Sequence, residues 1–207
     1  MSYEIDHLLY GVPKLDAGIA NLKQLLGVEP ELGGEHPGFG TRNALLSLGT
    51  GVYLELIAPD PLQDLTGTRG EALSALNSPK LMTFALRTND LGRIQSLAEQ
   101  VGLNTLGPIT RSRLKPSGQI LQWHHLKFPD NPFGEALPFF IDWGETEHPS
   151  ETSCGGCSLQ ALEVWHPEGS SLAELYAALE IDIKVGVDSE TTLRAVLATP
   201  RGDVTLI

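Results

Sequence analysis

The sequence is poor in cysteine and in positive charge. Only two of its 207 residues are cysteines, and 14 Lys and Arg residues stand against 26 Asp and Glu residues, a formal net charge of −12. A chain this acidic repels the phosphate backbone, so nucleic-acid binding is not expected. The densest positive cluster, Arg111, Arg113 and Lys115, fits either one anionic ligand or a solvated strand edge.

The sequence also lacks long apolar runs and targeting signals. No run approaches the roughly 20 residues that span a bilayer, and the first residues contain no basic region followed by an apolar stretch. We therefore expect a cytoplasmic protein with no membrane partner. No glycine-rich loop with phosphate-binding spacing precedes a helix, which argues against a nucleotide cofactor.

The two cysteines, Cys154 and Cys157, lie in the segment SCGGC. A structural zinc site needs about four ligands, and the sequence has no second cysteine pair. A thioredoxin-like motif would open a helix after a strand, whereas these residues sit in a Ser/Thr/Gly-rich connector. The expected arrangement is a flexible linker with two incidental thiols, with a redox or metal role as the alternative.

The hydrophobic pattern repeats as strand, helix and three strands. We call the first pass, residues 1–61, module 1 and the second pass, 81–145, module 2; a third, similar pass covers 158–207. Gly27 and Gly102 end the first two predicted helices and align the two modules. Short, largely antiparallel strands predict an α+β domain of curled mixed sheets, with a central pocket between paired modules.

Two strands of module 1 bring a histidine and a carboxylate to one pocket. The period-two alternation of a strand places His7 on the face of Ile5 and Leu9, and it places Glu55 on the face of Tyr53. A buried ionised Glu is unfavourable unless it is paired or bound to a metal. His and Glu together suit a divalent cation with open positions, and a core histidine beside a solvent-facing glutamate is the alternative.

Several segments together resemble the glyoxalase-like domain family of the vicinal oxygen chelate superfamily. In chain order they are HLLYGVP, HPGFGTRNALL, YLELIAPDP, KPSGQILQW, LPFFIDWGETEHPS and TPRGDVTL. The resemblance implies βαβββ modules paired around a small-molecule pocket. Superfamily metal ligands typically lie on the first and last strands of two paired modules. This implies His7 and Glu55 as ligands, with Glu55 also a candidate catalytic residue.

Module 2 departs from that superfamily pattern. The glycine alignment places Met82 where His7 stands, with Thr83 beside it, and Asp142 is the only carboxylate in the last strand of the module. The resemblance therefore implies a site of two or three residues, completed by water or substrate, for a divalent metal such as Fe, Mn, Ni or Zn.

A second group of residues is predicted to contact a substrate. It comprises His36, Arg42, Asn43, Trp123, His125, Asp142 and His148. Arg42 and Asn43 could bind a carboxylate or carbonyl group. His124 and His125 are adjacent on one strand, so only one of them can enter the pocket. Loop-structuring hydrogen bonds are the alternative for His36 and His148, and core packing is the alternative for Trp123.

These features support two functional hypotheses. The first is an enzyme of isomerase, lyase or dioxygenase type, in which a divalent metal chelates neighbouring substrate oxygens and stabilises an enediolate. The second is a metal-free protein that binds or sequesters a small molecule, which the altered second module favours. Modules of this kind often pair across chains, so a homodimer is compatible with either hypothesis.

Overall fold

The computed structural model describes residues 3–114 and 120–207, with residues 113 and 114 described in their backbone only. Lys115 and the side chain of Arg113 therefore lie outside the described part of the chain. Its helices are α1 (Leu15–Leu26), α2 (Arg69–Ser74), α3 (Leu91–Gln100), α4 (Pro149–Thr152) and α5 (Gly169–Ala178), with a 3-10 turn at Gly134–Ala136. Its strands are β1 (Glu4–Gly11), β2 (Glu31–His36), β3 (Thr41–Ser47), β4 (Tyr53–Pro59), β5 (Lys80–Arg87), β6 (Leu106–Leu114), β7 (Ile120–Lys127), β8 (Phe139–Asp142), β9 (Ser158–His166), β10 (Lys184–Val187), β11 (Thr192–Thr199) and β12 (Gly202–Leu206).

Modules 1 and 2 join into one sheet of eight strands. Its order is β2-β3-β4-β1-β5-β8-β7-β6, so each half has the same internal order, and the halves meet where β1 pairs antiparallel with β5. Leu8 lies opposite Phe84 at this central pairing. The sheet curls into a half-barrel, so that its edge strands β2 and β6 approach each other. The predicted α+β class with curled sheets is confirmed.

The third pass along the chain forms a separate sheet of four strands. It repeats the element order of the modules, but its pairing differs: β9 pairs with β10 and β11, whereas β1 pairs with β4 and β5. The segment is therefore not a third copy of the module topology. It covers the convex side of the half-barrel, where Val164 and Tyr176 join the same apolar core as Phe84 and Phe140.

The two faces of the half-barrel have different chemistry. On the convex face the side chains of Leu8, Phe84 and Leu86 are buried against α1, α3 and the second sheet. The concave face carries several buried polar groups, including His7 and Glu55. The convex face thus supplies the hydrophobic core, and the concave face is left to form a pocket.

The predicted glycine end of α1 is confirmed, and the two short helices α2 and α4 are additional. Gly27 ends α1 at a φ of 80°, and the Asp90 Oδ1 atom accepts a hydrogen bond from the Arg93 backbone N–H at the start of α3. Helix α2 lies in the polar segment between the two modules, and α4 follows β8. No helix of the described residues is long and apolar enough to span a membrane.

The cysteine segment is packed against the sheet and is not the loose linker that its composition predicts. The Ser47 backbone N–H donates to the Cys154 carbonyl at 2.8 Å, Cys154 Sγ lies 2.9 Å from the Glu29 carbonyl, and Cys157 is buried. Both thiols are free, and burial raises the pKa of each of them. A raised pKa keeps a thiol protonated and unreactive, which supports the expectation of incidental cysteines.

A buried leucine and an exposed leucine test the assignment of the convex core. Leu86 is 1% exposed and Leu62 is 86% exposed. We predict that Leu86→Ala lowers the free energy of unfolding by about 2–5 kcal/mol, because it leaves a cavity between the sheet and its cover. Leu62→Ala, the matched control, should change it by less than about 0.5 kcal/mol. Urea denaturation followed by tryptophan fluorescence measures both, and equal effects would contradict this assignment of the core.

Candidate functional site

A cavity of about 300 Å³ opens in the concave face of the half-barrel. Its walls are largely apolar and aromatic, and Leu9, Ile57 and Phe139 are among them. The polar groups that reach it include His7, His36, Thr41, Asn43, Glu55, Thr83 and His125. An apolar cavity with a few convergent polar groups is the usual form of a small-molecule site.

A β-bulge in β1 determines how the site is built. Ile5 lies opposite Leu86 and His7 lies opposite Ala85, so Asp6 is an extra residue in the ladder. The bulge resets the alternation, so Ile5 packs against the convex core while His7 faces the cavity. The prediction that Ile5 and His7 share a face is therefore wrong, because strict alternation does not hold across a bulge.

The bulge residue Asp6 is a buried carboxylate with three side-chain partners. His7 Nδ1 lies 2.6 Å from Oδ1, and Oδ2 accepts from Trp143 Nε1 at 2.9 Å and from His148 Nε2 at 3.0 Å. Burial on its own would raise the pKa of Asp6, but the hydrogen bonds from His148 and His7 outweigh it and lower the pKa to about 2. Asp6 is therefore an anion at every ordinary pH.

These contacts determine which ring nitrogens of the two histidines carry hydrogen. The backbone N–H of Ser150 donates to His148 Nδ1 at 3.2 Å, so Nε2 of His148 is the protonated nitrogen that donates to Asp6. His7 donates from Nδ1 to the anionic Asp6, so its Nε2 atom faces the cavity. A carboxylate behind a histidine in this way fixes the ring orientation and the tautomer.

Glu55 lies between two histidines at the floor of the cavity. Its Oε2 atom is 3.7 Å from His7 Nε2, and its Oε1 atom is 3.7 Å from His36 Nε2. Asn43 Nδ2 donates to Oε1 at 2.7 Å and lies 3.3 Å from His36 Nε2. On the other side of its ring, His36 Nδ1 lies 2.9 Å from Thr41 Oγ1. The structure thus brings together the predicted pair, His7 and Glu55.

The strand register identifies the module 2 counterparts of these two residues. Leu8 and Phe84 pair at the centre of two equivalent halves, so the counterpart of His7 is Thr83, one residue beyond the Met82 given by the glycine alignment. Leu9 pairs with Glu55 in module 1, and the equivalent pair in module 2 is Ala85 with Phe139. Module 2 therefore has a hydroxyl group and a phenyl ring at the two positions where the family resemblance implies metal-ligating side chains.

The donor groups as placed do not fit a resident metal ion. A metal at about 2.0–2.2 Å from each ligand needs donor atoms that converge on one point. His7 and His36 face different oxygens of Glu55, and one of those oxygens accepts from Asn43. The described residues contain no group of three or more His, Cys, Asp or Glu placed to hold a metal. We therefore derive no chemical step through a metal here.

The structure separates the other predicted substrate-contacting residues into two groups. His36, Asn43, Trp123 and His125 line the cavity. Arg42, Asp142 and His148 are not among its lining residues. Phe139 and Ile141 take the inward positions of β8, so Asp142 points to the other face, where its Oδ1 accepts from the Gly144 N–H. Arg42 faces Asp16, and His148 lies behind the site as a partner of Asp6.

Sequence patterns do not identify Asp6, Arg69 and Lys127 as residues of the site. Strict alternation along β1 would place Asp6 on the face opposite to His7, and Arg69 and Lys127 carry no local pattern, so only the tertiary fold identifies them. Arg111 belongs to the positive cluster that fits either an anionic ligand or a strand edge. All three cations line the cavity. Burial, together with nearby Lys127 and Arg111, lowers the pKa of His125 to about 4, so His125 is neutral in their company.

Comparisons with known proteins agree with the fold and the pocket. A family model described as a glyoxalase-like domain matches residues 5–180, so the chain belongs to the glyoxalase-like domain family. A hypothetical protein from Staphylococcus aureus matches with a TM-score of 0.70 and 16% identity, covering 91% of this chain and 87% of that one. A variant of methylmalonyl-CoA epimerase from Streptomyces coelicolor, solved with 2-nitronate-propionyl-CoA, matches with a TM-score of 0.51 and 19% identity, covering 72% and 100%.

At these identities the solved structures show the fold alone. The match to the family model confirms the family resemblance seen in the sequence. No curated protein matches the sequence. The reaction therefore has to be argued from the site.

The pH dependence of stability tests the Asp6 network. Because the pKa of Asp6 falls from 3.8 unfolded to about 2 folded, its ionised form stabilises the fold above pH 4, and this contribution is lost as the pH falls through 2. We predict that Asp6→Asn lowers the free energy of unfolding by about 2 kcal/mol at pH 7, a difference that shrinks below pH 4. Urea denaturation over a pH series measures this, with exposed Asp203→Asn as control. A pH-independent difference would contradict it.

Proposed function

We propose that the chain is an enzyme that acts on a small carbonyl compound in the cavity, and that Glu55 and His7 move a proton there. The observation that carries this proposal is the arrangement of His7 Nε2 3.7 Å from Glu55 Oε2, with His7 held from behind by the Asp6 carboxylate. A buried carboxylate beside an oriented imidazole, in an apolar cavity, suits general acid and base catalysis.

In the proposed reaction, Glu55 removes a proton from a carbon next to the carbonyl group. The negative charge that develops passes to the carbonyl oxygen. Glu55 passes the proton to His7 Nε2, which carries no hydrogen in the tautomer fixed by Asp6, and the resulting imidazolium donates it to that oxygen or to a neighbouring carbon. Return of the proton to another atom or another face of the carbon gives an isomerase, and loss of a leaving group gives a lyase. Both are within the reaction types that the sequence predicts.

The surrounding residues keep the two reactive groups in position. Asn43 donates to Glu55 Oε1, which leaves Oε2 on the side of His7. The His7 ring stacks on Tyr53 with centroids 4.7 Å apart, and the edge contact with Phe139 has centroids 5.5 Å apart. Holding reactive groups in one geometry before the substrate arrives lowers the entropic part of the barrier.

A second candidate is a binding or sequestration protein. The observation that favours it is the pair of module 2 counterparts, Thr83 and Phe139, which replace two superfamily ligand positions by groups that bind metals poorly. The cavity would then hold a ligand without changing it. Both candidates use the same cavity, so a measurement of substrate turnover distinguishes them, whereas a measurement of ligand binding does not.

Replacement of Glu55 tests the enzyme proposal. We expect the protein in D₂O to exchange the acidic C–H of small α-hydroxycarbonyl or β-keto compounds, and we expect Glu55→Gln to slow this by about 10²–10⁴-fold, because the amide cannot accept the proton. Proton NMR of the substrate measures the exchange rate. The matched control is Glu135→Gln, another carboxylate of the cavity wall.

Two outcomes would count against the enzyme proposal. Exchange that persists in folded Glu55→Gln would remove Glu55 from the mechanism. A compound that binds in the cavity but exchanges no faster than in buffer, across the whole set, would favour the binding protein.

Metal content tests the expectation that His7 and Glu55 ligate a divalent metal. The donor atoms of His7, His36 and Glu55 do not converge on one point. We therefore predict well under one equivalent of Fe, Mn, Ni or Zn in protein purified without chelators or an affinity tag. Elemental analysis measures the content. A stoichiometric metal that is lost in His7→Ala and retained in His124→Ala would contradict this geometry and support the metal-assisted enzyme.

A further inference from the structure

Three cations from separate parts of the chain line the cavity. Arg69 is the first residue of α2, Arg111 lies on β6, and Lys127 lies on the neighbouring strand β7. Among the described residues that line the cavity, the only carboxylates are Glu55 and Glu135. The cavity wall therefore carries a net positive charge in a protein whose formal net charge is −12.

Contacts within the described residues satisfy only part of the guanidinium groups of Arg69 and Arg111. Arg69 Nη2 lies 3.1 Å from Glu135 Oε1, but its Nε atom is buried with no hydrogen-bond partner in the described residues. The Arg111 guanidinium lies over the Phe39 ring at 4.7 Å, and its Nε is likewise buried without a partner. A buried donor without an acceptor is unfavourable unless a ligand supplies one.

Lys127 lies close enough to the proposed reactive groups to feel the charge of Glu55. Its Nζ atom lies over the Phe139 ring, 5.3 Å from the centroid, and the same ring contacts the imidazole of His7. Burial lowers the pKa of Lys127, and the charges of Arg69 and Arg111 lower it further. Three mutually repelling cations thus share one part of the cavity, and the Phe139 ring contacts both the Lys127 ammonium group and the His7 imidazole.

We infer that the ligand carries an oxyanion, a carboxylate or a phosphate, which binds between Arg69, Arg111 and Lys127 while its apolar body lies along Phe139. Given the proposed function, on which this part rests, the reactive carbon of the same molecule then reaches Glu55. An oxyanion supplies acceptors for the guanidinium and ammonium groups that line the cavity, and it neutralises their charge. A cavity of about 300 Å³ suits a small organic acid.

Binding of matched acids and neutral compounds tests this inference. The probes are hexanoate and phenylpropionate, each with its amide, and phenyl phosphate with phenol, and inorganic phosphate serves as an anion without an apolar body. Ligand-observed NMR titration gives each Kd. We expect at least one acid to bind about 10-fold or more tightly than its neutral partner, since a charge-assisted hydrogen bond contributes that much to affinity.

Variants assign that preference to the three cations. Arg111→Gln combined with Lys127→Gln should remove the preference, and Arg69→Gln should weaken it, while exposed Arg201→Gln should leave it unchanged. Circular dichroism and the melting temperature show whether each variant is folded. If Arg111→Gln with Lys127→Gln does not fold, the single Lys127→Gln variant is used, with loss of about 10-fold in acid affinity expected.

The outcomes separate this inference from the proposed function. Equal binding of acids and neutral partners, no binding of any acid, or full acid affinity in a folded cation variant would overturn the inference. Glu55→Gln should keep its acid affinity while it loses proton exchange. Acid binding without exchange in the wild-type protein would therefore refute the proposed reaction and leave the anion site standing. A preference for phenyl phosphate over both carboxylates would assign the phosphate form of the anion.

Discussion

The buried carboxylate of Asp6 is the group on which the rest of the site depends. It accepts hydrogen bonds from His7 on its own strand and from Trp143 and His148 in the segment after β8, so it joins the first strand of module 1 to the end of module 2. An unpaired charge at a fully buried position would be strongly unfavourable, and three donors satisfy it. The same contacts present the imidazole of His7 to the cavity with a defined tautomer.

The sequence predicts the parts of this site that follow local periodicity. Alternation along β4 places Glu55 inward, and the repeated hydrophobic pattern identifies two modules, whose strands form one sheet. The inward turn of His7 beside Asp6 depends on a bulge, and a bulge depends on the partner strand β5, which local patterns do not describe. Each face of β8 carries a phenyl ring, Phe139 on one and Phe140 on the other, so its pattern alone does not tell which face lies inward.

The electrostatics of the cavity differ from those of the whole chain. The strongly acidic composition describes the protein as seen from a distance, whereas a ligand inside the half-barrel meets Arg69, Arg111 and Lys127 at close range. Low-dielectric walls strengthen such local charges relative to screened charges on the surface. A negative net charge disfavours extended polyanions as partners and is compatible with a small anion in the cavity.

Joining both halves of the half-barrel in one chain has a consequence for how the site can change. In a symmetric dimer of single modules, every substitution would occur twice, once on each side of the pocket. Here the pairing of β1 with β5 is internal to the chain, so the two sides can diverge. Module 1 contributes the histidine and the carboxylate, while module 2 contributes Arg111, Lys127 and the ring of Phe139. A substitution on one side of the pocket therefore leaves the residues of the other side unchanged.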